Sequence, residues 1–337
     1  MGNRGGVRPL VELLVLSATT LPAAHDMWHT ADDVTGSKPS AQGVDDAGLG
    51  FALYDSFAAR RFTGNVAGVV VSDRELPEGL MRSIAAELSA PTTGFAIVHD
   101  GGDVAIRYFT PKQEIQACGH VSLAIATELV GLGVWRAAPS GCRTRAATQA
   151  GYLSLLLIDT RLGVRVELTY RPKAAGGVPM SRDRIESMLG GIPTDSHLPI
   201  EVVATGLRHL MVPFTSRGAL GEMAPDETSV RELARSCAVD TICAFTVVGD
   251  HALQMRDFCA GIGVLEEPAS GTTSSALAWY ADRHEILRSR VEFPINQGVE
   301  MGRPSVIEVV LGGDGDGPLA RVRGRAIKTA FGTMILR

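Results

Sequence analysis

The apolar residues of this chain alternate with polar ones over many short stretches and follow helical spacing over fewer. Alternation that is bounded by turn residues predicts strands. These strands cover residues 53–57, 61–71, 95–99, 104–109, 153–158, 164–170, 201–205, 209–213, 242–248, 253–258, 290–293 and 306–311. Apolar residues three and four positions apart predict helices over residues 78–88, 122–132, 182–189, 230–237 and 274–284. Strands therefore dominate the chain, and hairpins outnumber strand–helix–strand units.

One pattern of residues occurs twice along the chain. Residues 117–126 read ACGHVSLAIA and residues 269–278 read ASGTTSSALA, with identical residues at five of the ten positions. A glutamate precedes each copy at the same distance, Glu114 and Glu266, and an R-x-F strand signal lies upstream of each. A repeat with such a long period predicts two structurally equivalent halves.

Each copy of the repeat places a turn of small residues before an alanine-rich helix. The first turn of a helix leaves backbone N–H groups free and carries the positive end of the helix dipole, so it can bind an anion. Gly119 and Gly271 occupy equivalent places in the two turns. We therefore expect the two helix N termini to meet across one cleft and to form the functional site.

Composition excludes several other classes of protein. The chain has 337 residues, 45% hydrophobic and 20% charged, which suits a globular protein of two domains. The net charge of −5 gives no basic surface for nucleic acid. The five cysteines are odd in number and include no C-x-x-C pair, which argues against a disulfide framework or structural zinc and is typical of the cytoplasm. The longest apolar stretches have strand length, so no membrane span is expected.

Three segments are expected along the chain. Residues 1–48 read as a flexible N-terminal extension. The beginning of this extension loosely resembles a signal peptide, so a secreted protein and an extended or mis-started N terminus both stay open. The best linker is residues 172–179, with two prolines, two glycines and two alanines. We therefore expect an N-terminal half over residues 49–172, with a C-terminal strand at about 326–337, and a C-terminal half over residues 173–325.

The sharpest local cluster of reactive groups is Cys118-Gly119-His120 at the start of the first repeated helix. The positive helix terminus is expected to lower the pKa of the thiol and favour the thiolate. An imidazole beside it can move a proton near neutral pH. The plainer alternative is that Cys118 is a small buried residue and His120 a helix cap.

Two adjacent carboxylates, Glu266 and Glu267, precede the second repeated helix. Neighbouring side chains on a strand point to opposite sides, so at most one of them should enter a cleft. The alternative is that the carboxylate only interacts favourably with the helix dipole. His209 and Arg303 are further polar candidates, although each also suits a surface or loop position.

Motifs of other enzyme classes are absent from the sequence. It contains no G-x-G-x-x-G or G-x-x-x-x-G-K-[ST] loop, which argues against a nucleotide enzyme. It also contains no H-E-x-x-H motif, G-x-S-x-G motif or acidic metal cluster, so we expect no metal site and no serine esterase chemistry.

Taken together, six motifs resemble the PhzF (phenazine-biosynthesis-like) family, in family order over about residues 51–335. They are FTGNVAGVV from Phe62, RYFTP from Arg107, the segment from Glu114 to Cys118-Gly-His, TGLRHL from Thr205, EEPASGT from Glu266 and QGVEMGRPS from Gln297. The resemblance implies an α+β fold like that of diaminopimelate epimerase, with two pseudo-symmetric halves that are each a curved mixed sheet around a central helix. It also implies an active site between the two helix N termini, no cofactor and a homodimer.

The family's functional positions carry over with several changes. The Gly-His pair is intact as Gly119-His120, whereas Glu267 stands where the family has a catalytic aspartate. Thr272 occupies the place of a serine. Thr92 holds the place of the principal acid/base glutamate, by alignment on the phenylalanine that follows. The epimerases of this fold use two cysteines, and Cys118 matches the first while Ser270 occupies the second.

The resemblance implies a cofactor-independent isomerase that moves a proton on a small amino- or hydroxy-carboxylate, in secondary metabolism and in the cytoplasm. The expected catalytic residues are His120, Glu267, Thr272 and Cys118. The expected substrate-binding residues are Gly119, Ser270, Gly271, Thr92, Asn65 and His209. Because the usual glutamate is replaced, a cyclase or lyase that shapes a reactive intermediate, and a non-catalytic protein that binds small acids, stay open. Neither nucleic acid nor membrane is an expected partner.

Overall fold

The computed structural model describes residues 48–259, 264–287 and 291–336. All of these residues belong to one compact unit, Pro39–Arg337. The predicted N-terminal extension lies outside the described residues except for Gly48. The segment that resembles a signal peptide lies outside them as well. The beginning of the strand predicted over residues 290–293 lies outside them as well.

Strands form most of the regular structure of the described residues, as the alternating pattern predicts. The strands are β1 Leu49–Ser56, β2 Asn65–Ser72, β3 Thr92–Val98, β4 Val104–Phe109, β5 Glu114–Ile115, β6 Cys142–Thr148, β7 Gly151–Thr160, β8 Gly163–Tyr170, β9 Lys173–Ala174, β10 Glu201–Ala204, β11 Arg208–Pro213, β12 Thr241–Val248, β13 Ala252–Phe258, β14 Glu266–Glu267, β15 Glu292–Gln297, β16 Ser305–Asp314, β17 Gly317–Gly324 and β18 Ala326–Met334. The helices are α1 Glu78–Leu88, α2 Gly119–Gly131, α3 Arg182–Met188, α4 Arg217–Glu222, α5 Glu227–Ser236 and α6 Gly271–Arg283.

The strands pair in the same order twice. From β1 to β8, the pairs β1–β2, β3–β4, β4–β5, β6–β7 and β7–β8 are antiparallel, and β2–β3 and β4–β6 are parallel. From β10 to β17, the pairs β10–β11, β12–β13, β13–β14, β15–β16 and β16–β17 are antiparallel, and β11–β12 and β13–β15 are parallel. The repeat seen in the sequence thus extends to the whole strand topology.

Three further antiparallel pairings complete the sheet. β8 pairs with β17, so the two repeated sets of strands share one continuous sheet. The C-terminal strand β18 pairs with β1, and the short strand β9 pairs with β10. The division of the chain near residue 172 stays a prediction.

Each set of strands surrounds one of the two repeated helices. α2 packs against β1, β2, β3, β8 and β18, and α6 packs against β10, β11, β12, β16 and β17. Both helices are buried over most of their residues, and they contact each other. The predicted central helices are therefore the core of the molecule.

The remaining helices cover smaller apolar clusters. α1 packs its buried residues Met81 and Ile84 with Phe95 and other residues of β1–β4. α3, α4 and α5 cover a second cluster that includes Val212 on β11 and Ile242 on β12. These helices stabilise the sheet by burying its apolar residues in these clusters.

The structure differs from the predicted elements in a few places. α2 and α6 begin three residues earlier than residues 122 and 274, because Cys118 and Ser270 in extended conformation act as the N-caps. The predicted strand over residues 61–71 begins only at Asn65, after a turn in which Gly64 has a φ of 70°. The pattern missed β6, α4 and β17, which are short, polar or flanked by glycines. No helix among the described residues is long and apolar enough to cross a membrane.

Candidate active site

An arginine–glutamate pair anchors the segment before each central helix. Arg107 on β4 binds Glu114 on β5 through two hydrogen bonds of 2.7 and 2.6 Å. Arg256 on β13 binds Glu266 on β14 through two hydrogen bonds of 2.8 Å each. The repeated R-x-F signal and the repeated glutamate are therefore the two partners of one ion pair, which fixes the turn that leads into α2 or α6.

The N terminus of α2 brings a thiol and an imidazole together. Cys118 is the N-cap of the helix, and its Sγ atom lies 3.3 Å from Nδ1 of His120. His120 is 5% exposed, and burial lowers its pKa to about 4. The imidazole is therefore neutral at physiological pH, and one of its ring nitrogens is unprotonated.

The prediction that Cys118 forms a thiolate is wrong. Burial, followed by the nearby charge of Glu267, raises the pKa of the thiol to about 12, although backbone N–H groups of the helix start and the Thr92 hydroxyl act in the opposite direction. Removal of the sulfur from water thus outweighs the helix terminus. Cys118 is a neutral thiol near neutral pH.

Asn65 connects the two helix N termini. Its Nδ2 atom donates a hydrogen bond of 2.9 Å to the Ala269 carbonyl oxygen, just before α6, and lies 3.4 Å from Nδ1 of His120. An amide nitrogen is a donor only, so we assign the lone pair of the imidazole to Nδ1, where both the Asn65 amide and the Cys118 thiol can donate to it. Asn65 is fully buried, and its Oδ1 atom has no partner among the described residues.

Hydroxyl groups surround the N terminus of α6. Ser270 caps the helix by accepting from the Thr273 N–H group, and its Oγ atom lies 3.1 Å from that of Thr272. The Ser270 N–H group donates to Gln297 Oε1 at 2.9 Å, and Gln297 in turn donates to the Glu267 carbonyl oxygen at 2.7 Å. This network fixes the turn that joins Glu267 to the helix.

Glu267 shares this end of the site with a second carboxyl group. Asp257 on β13 lies directly opposite Glu267 on β14. Burial raises the pKa of Glu267 to about 8, and the negative charge of Asp257 adds to that increase. Burial also raises the pKa of Asp257, to about 6. Glu266 is held by Arg256 instead, so only one of the two adjacent glutamates enters the site, as predicted.

His209 lies beneath the N terminus of α6 and is fully buried. Its Nε2 atom is 2.8 Å from the Thr205 hydroxyl, and its Nδ1 atom is 2.8 and 3.2 Å from the hydroxyls of Thr241 and Thr273. Both ring nitrogens are therefore engaged within the protein. The position suits a residue that supports the α6 N terminus, and a direct contact with substrate stays a prediction.

Thr92 begins β3 and lies beside the N terminus of α2. It is 5% exposed, and its hydroxyl hydrogen-bonds the sulfur of Cys118. Thr92 is thus inside the site and brings a neutral hydroxyl to it, while its equivalence to the family's glutamate stays a prediction. The carboxyl groups come from the opposite side, from β13 and β14.

Tyr170 was not among the predicted site residues, and its hydroxyl lies against both helix N termini. A Cβ atom added to Gly119 would be 2.8 Å from the Tyr170 hydroxyl oxygen, and one added to Gly271 would be 3.2 Å from it. The two equivalent glycines are therefore required by one side chain at the end of β8. No short motif could identify this contact, because Tyr170 is distant in sequence from both.

This contact predicts the effect of a methyl group at residue 119. We expect Gly119→Ala to lower the free energy of unfolding by about 1–3 kcal/mol, because the new Cβ atom overlaps the Tyr170 oxygen. In a Tyr170→Phe background the oxygen is absent, so Gly119→Ala should lower the free energy of unfolding much less. Urea unfolding of the wild type, the two single variants and the double variant measures both losses. Equal losses in the two backgrounds would contradict the contact.

One set of side chains has the geometry of a possible metal site. The ligand atoms of Asp257, Cys259 and Glu267 all lie within 4.8 Å of one another. The Oδ2 atom of Asp257 already accepts a hydrogen bond of 2.6 Å from Thr273. No sequence motif marks this set, because Asp257 lies on β13, Cys259 follows that strand and Glu267 lies on β14.

Comparisons with known proteins agree with this architecture. The family model of PhzC-PhzF, phenazine biosynthesis-like protein, matches residues 54–332. An "uncharacterized isomerase" of Deinococcus radiodurans is 32% identical over 254 residues, which are 73% of this chain and 81% of that protein. The trans-2,3-dihydro-3-hydroxyanthranilate isomerase of Pseudomonas fluorescens is 29% identical over 292 residues, which are 85% of this chain and 99% of that protein.

A solved structure shows the same fold. The PhzF-family phenazine biosynthesis protein of Bacillus anthracis superposes with a TM-score of 0.75 at 21% identity, over 86% of this chain and 99% of that one. This likeness confirms the predicted α+β fold class. Together with the family model and the relatives, it shows that the chain belongs to the PhzC-PhzF, phenazine biosynthesis-like family and is an isomerase.

Proposed function

We propose that this isomerase moves a proton on a small amino- or hydroxy-carboxylate, with Glu267 as the proton donor and His120 as the acceptor. The observation that carries the proposal is the position of the two groups at helix N termini that Asn65 connects, in buried surroundings that reverse the usual order of their pKa values. An ordinary glutamate loses its proton well below an ordinary histidine, but here the pKa of Glu267 is about 8 and that of His120 about 4. At neutral pH Glu267 is therefore protonated and His120 is unprotonated.

Burial causes this reversal, since a low-dielectric site disfavours the charged form of either group. Two titratable groups whose pKa values are pushed apart by their surroundings are typical of an acid/base pair. His120 lies at the N terminus of α2 and Glu267 precedes that of α6, so the two groups can act on different atoms of one substrate. The Asn65 bridge holds the two N termini together.

The proposed reaction uses the side chains of Glu267 and His120, backbone N–H groups of α6 and water. The substrate carboxylate binds the N–H groups of Gly271 and Thr272, because those of Ser270 and Thr273 are engaged by Gln297 and by the helix cap, and the Thr272 hydroxyl lies beside it. Glu267 gives its proton to one atom of an unsaturated substrate, and His120 Nδ1 removes a proton from another, so a double bond moves. The imidazolium and carboxylate that result return to the resting state by exchanging a proton through water.

An exchange experiment tests this function. The protein is incubated at pH 7 in D₂O with trans-2,3-dihydro-3-hydroxyanthranilate and with a panel of small unsaturated amino- and hydroxy-carboxylates, and C–H signals are followed by ¹H NMR. We expect deuterium to enter at least one substrate together with a shifted double bond. Rearrangement without deuterium uptake would favour a cyclase, whereas thermal stabilisation with no turnover would favour a protein that only binds small acids.

Several further properties stay proposals that rest on the resemblance. We propose that the protein acts as a homodimer in the cytoplasm, in secondary metabolism and without a cofactor. Light scattering in solution measures the oligomeric state.

A further inference from the structure

Two aromatic side chains lie where the N termini of α2 and α6 meet. Tyr170 is the last residue of β8, and Gly324 is the last residue of the equivalent strand β17, which also has 8 residues. A Cβ atom added to Gly324 would lie 2.3 Å from the ring of Phe57, so Phe57 fills the place that a side chain at residue 324 would take. An aromatic ring therefore occupies both equivalent places, but of the two rings only that of Tyr170 carries a hydroxyl.

The Tyr170 hydroxyl is close to both helices but is not bound by either. Its oxygen is 2.8 Å from the Cβ position of Gly119 and 3.2 Å from that of Gly271, and the side chain is half-buried. It makes no hydrogen bond with any residue that the structure describes. Burial raises the pKa of this phenol above its ordinary value, so the hydroxyl keeps its proton and can donate it to a hydrogen bond.

A second tyrosine beside α2 shows the usual arrangement of such a group. Tyr108 on β4 is 1% exposed, and its hydroxyl lies 2.7 Å from the Ser122 hydroxyl, so its hydrogen bond is made inside the protein. Buried polar groups nearly always have a partner of this kind. The missing partner of Tyr170 therefore indicates a ligand.

A buried acceptor without a partner lies at the same two helix N termini. Asn65 is fully buried and donates to the Ala269 carbonyl oxygen, just before α6. Its Oδ1 atom has no partner among the residues that the structure describes. A ligand that offers both an acceptor and a donor would satisfy Tyr170 and Asn65 together, and an amino- or hydroxy-carboxylate offers both.

We propose that Tyr170 is a specificity-determining residue, which donates a hydrogen bond to the substrate carboxylate and selects substrates that carry one. The inference rests on the proposed function, in which this carboxylate lies at the start of α6. Because the hydroxyl is next to Gly271, it can bind the same carboxylate as the Gly271 N–H group. A hydrogen bond to a charged acceptor is stronger than one between neutral groups, so this contact favours a carboxylate over a neutral group of the same shape.

Two tyrosine-to-phenylalanine variants test the inference by binding, without turnover. The dissociation constant of anthranilate, a stable amino-carboxylate, is measured by calorimetry, and the free energy of unfolding is measured in urea. We expect Tyr170→Phe to raise the dissociation constant about 10-fold or more and to leave stability unchanged, because its hydroxyl makes no bond within the fold. The matched control Tyr108→Phe should lower stability and leave the dissociation constant unchanged.

A neutral probe separates recognition of the carboxylate from packing against the ring. Anthranilamide has the ring and the amino group of anthranilate but no negative charge. Tyr170→Phe should therefore raise its dissociation constant by a smaller factor than that of anthranilate. With an exchanging substrate, KM should rise by about the same factor as the dissociation constant of anthranilate, while kcat changes much less.

Three results would overturn the inference. The first is a Tyr170→Phe variant that binds anthranilate as tightly as the wild type. The second is a wild type that binds anthranilate no more tightly than anthranilamide. The third is a loss of stability in Tyr170→Phe as large as that in Tyr108→Phe, which would show a structural role. Absence of proton transfer would overturn the proposed function and leave these binding results standing, so the two failures can be distinguished.

Discussion

The Glu267→Gln variant is expected to fold normally and to lose about 10²- to 10⁴-fold of the rate of proton transfer. Glutamine has the shape and the neutral charge of the protonated glutamic acid that is present at pH 7. It can therefore keep the contacts of Glu267 but cannot release a proton to the substrate. The variant separates the chemistry of this residue from its structural contribution, and the isomerisation rate measured at saturating substrate gives the size of the effect.

Substrate affinity and stability serve as controls for this variant. The dissociation constant of the substrate should change little, and an exposed glutamate-to-glutamine change on α1, Glu87→Gln, should leave the rate unaltered. Wild-type stability should fall as pH rises from the ordinary pKa of a glutamate toward about 8, since folded Glu267 holds its proton there and the unfolded one does not. Glu267→Gln should lack this component. A variant as fast as wild type would remove Glu267 from the mechanism.

The largest expected loss of stability comes from Arg256→Met. Arg256 is only 10% exposed in its side chain, and it binds Glu266 and the carbonyl oxygens of Leu220 and Met223. The change would leave the Glu266 carboxylate buried without its partner. Removing one member of a buried ion pair costs about 3–5 kcal/mol, so we expect a decrease of that size in the free energy of unfolding.

The repeat supplies a matched control for this change. Arg107 makes the same two bonds to Glu114, which is 14% exposed against 13% for Glu266, but the arginine side chain itself is 26% exposed, so this ion pair is already partly solvated. We expect the Arg107 variant to lose less stability than the Arg256 variant. Guanidinium unfolding of both variants measures the difference, and equal losses would show that burial does not set the strength of these pairs.

The paired architecture could be predicted because its determinants are local or repeated. The spacing of small residues after Glu114 and Glu266 marks both helix starts, and the alternating pattern marks most strands. α2 is apolar on nearly every side, which explains its burial, whereas α6 is buried although it includes Thr273, Ser274 and Ser275. The ion pairs explain why the R-x-F signal and the glutamate recur together, although the sequence alone did not identify them as partners.

The parts of the site that could not be predicted depend on contacts between distant strands. Asp257 is the variable residue of the R-x-F signal, so the motif does not mark it, and it becomes a neighbour of Glu267 only when β13 pairs with β14. Tyr170 reaches Gly119 and Gly271 only after β8 and β17 have joined the two sets of strands. The state of Cys118 was mispredicted for a related reason, because helix position is visible in a sequence whereas the burial that dominates its pKa is not.

The central claim is that the N termini of α2 and α6 form one proton-transfer site, and a double-mutant cycle tests it most directly. Deuterium uptake by the exchanging substrate is measured at pH 7 for the wild type, His120→Asn, Glu267→Gln and the double variant. If the two residues act in one transfer, each single variant loses about 10²-fold or more, and the double variant loses little further. The claim would be contradicted if the rate losses of the two single variants multiplied in the double variant. It would also be contradicted if either single variant took up deuterium at the wild-type rate.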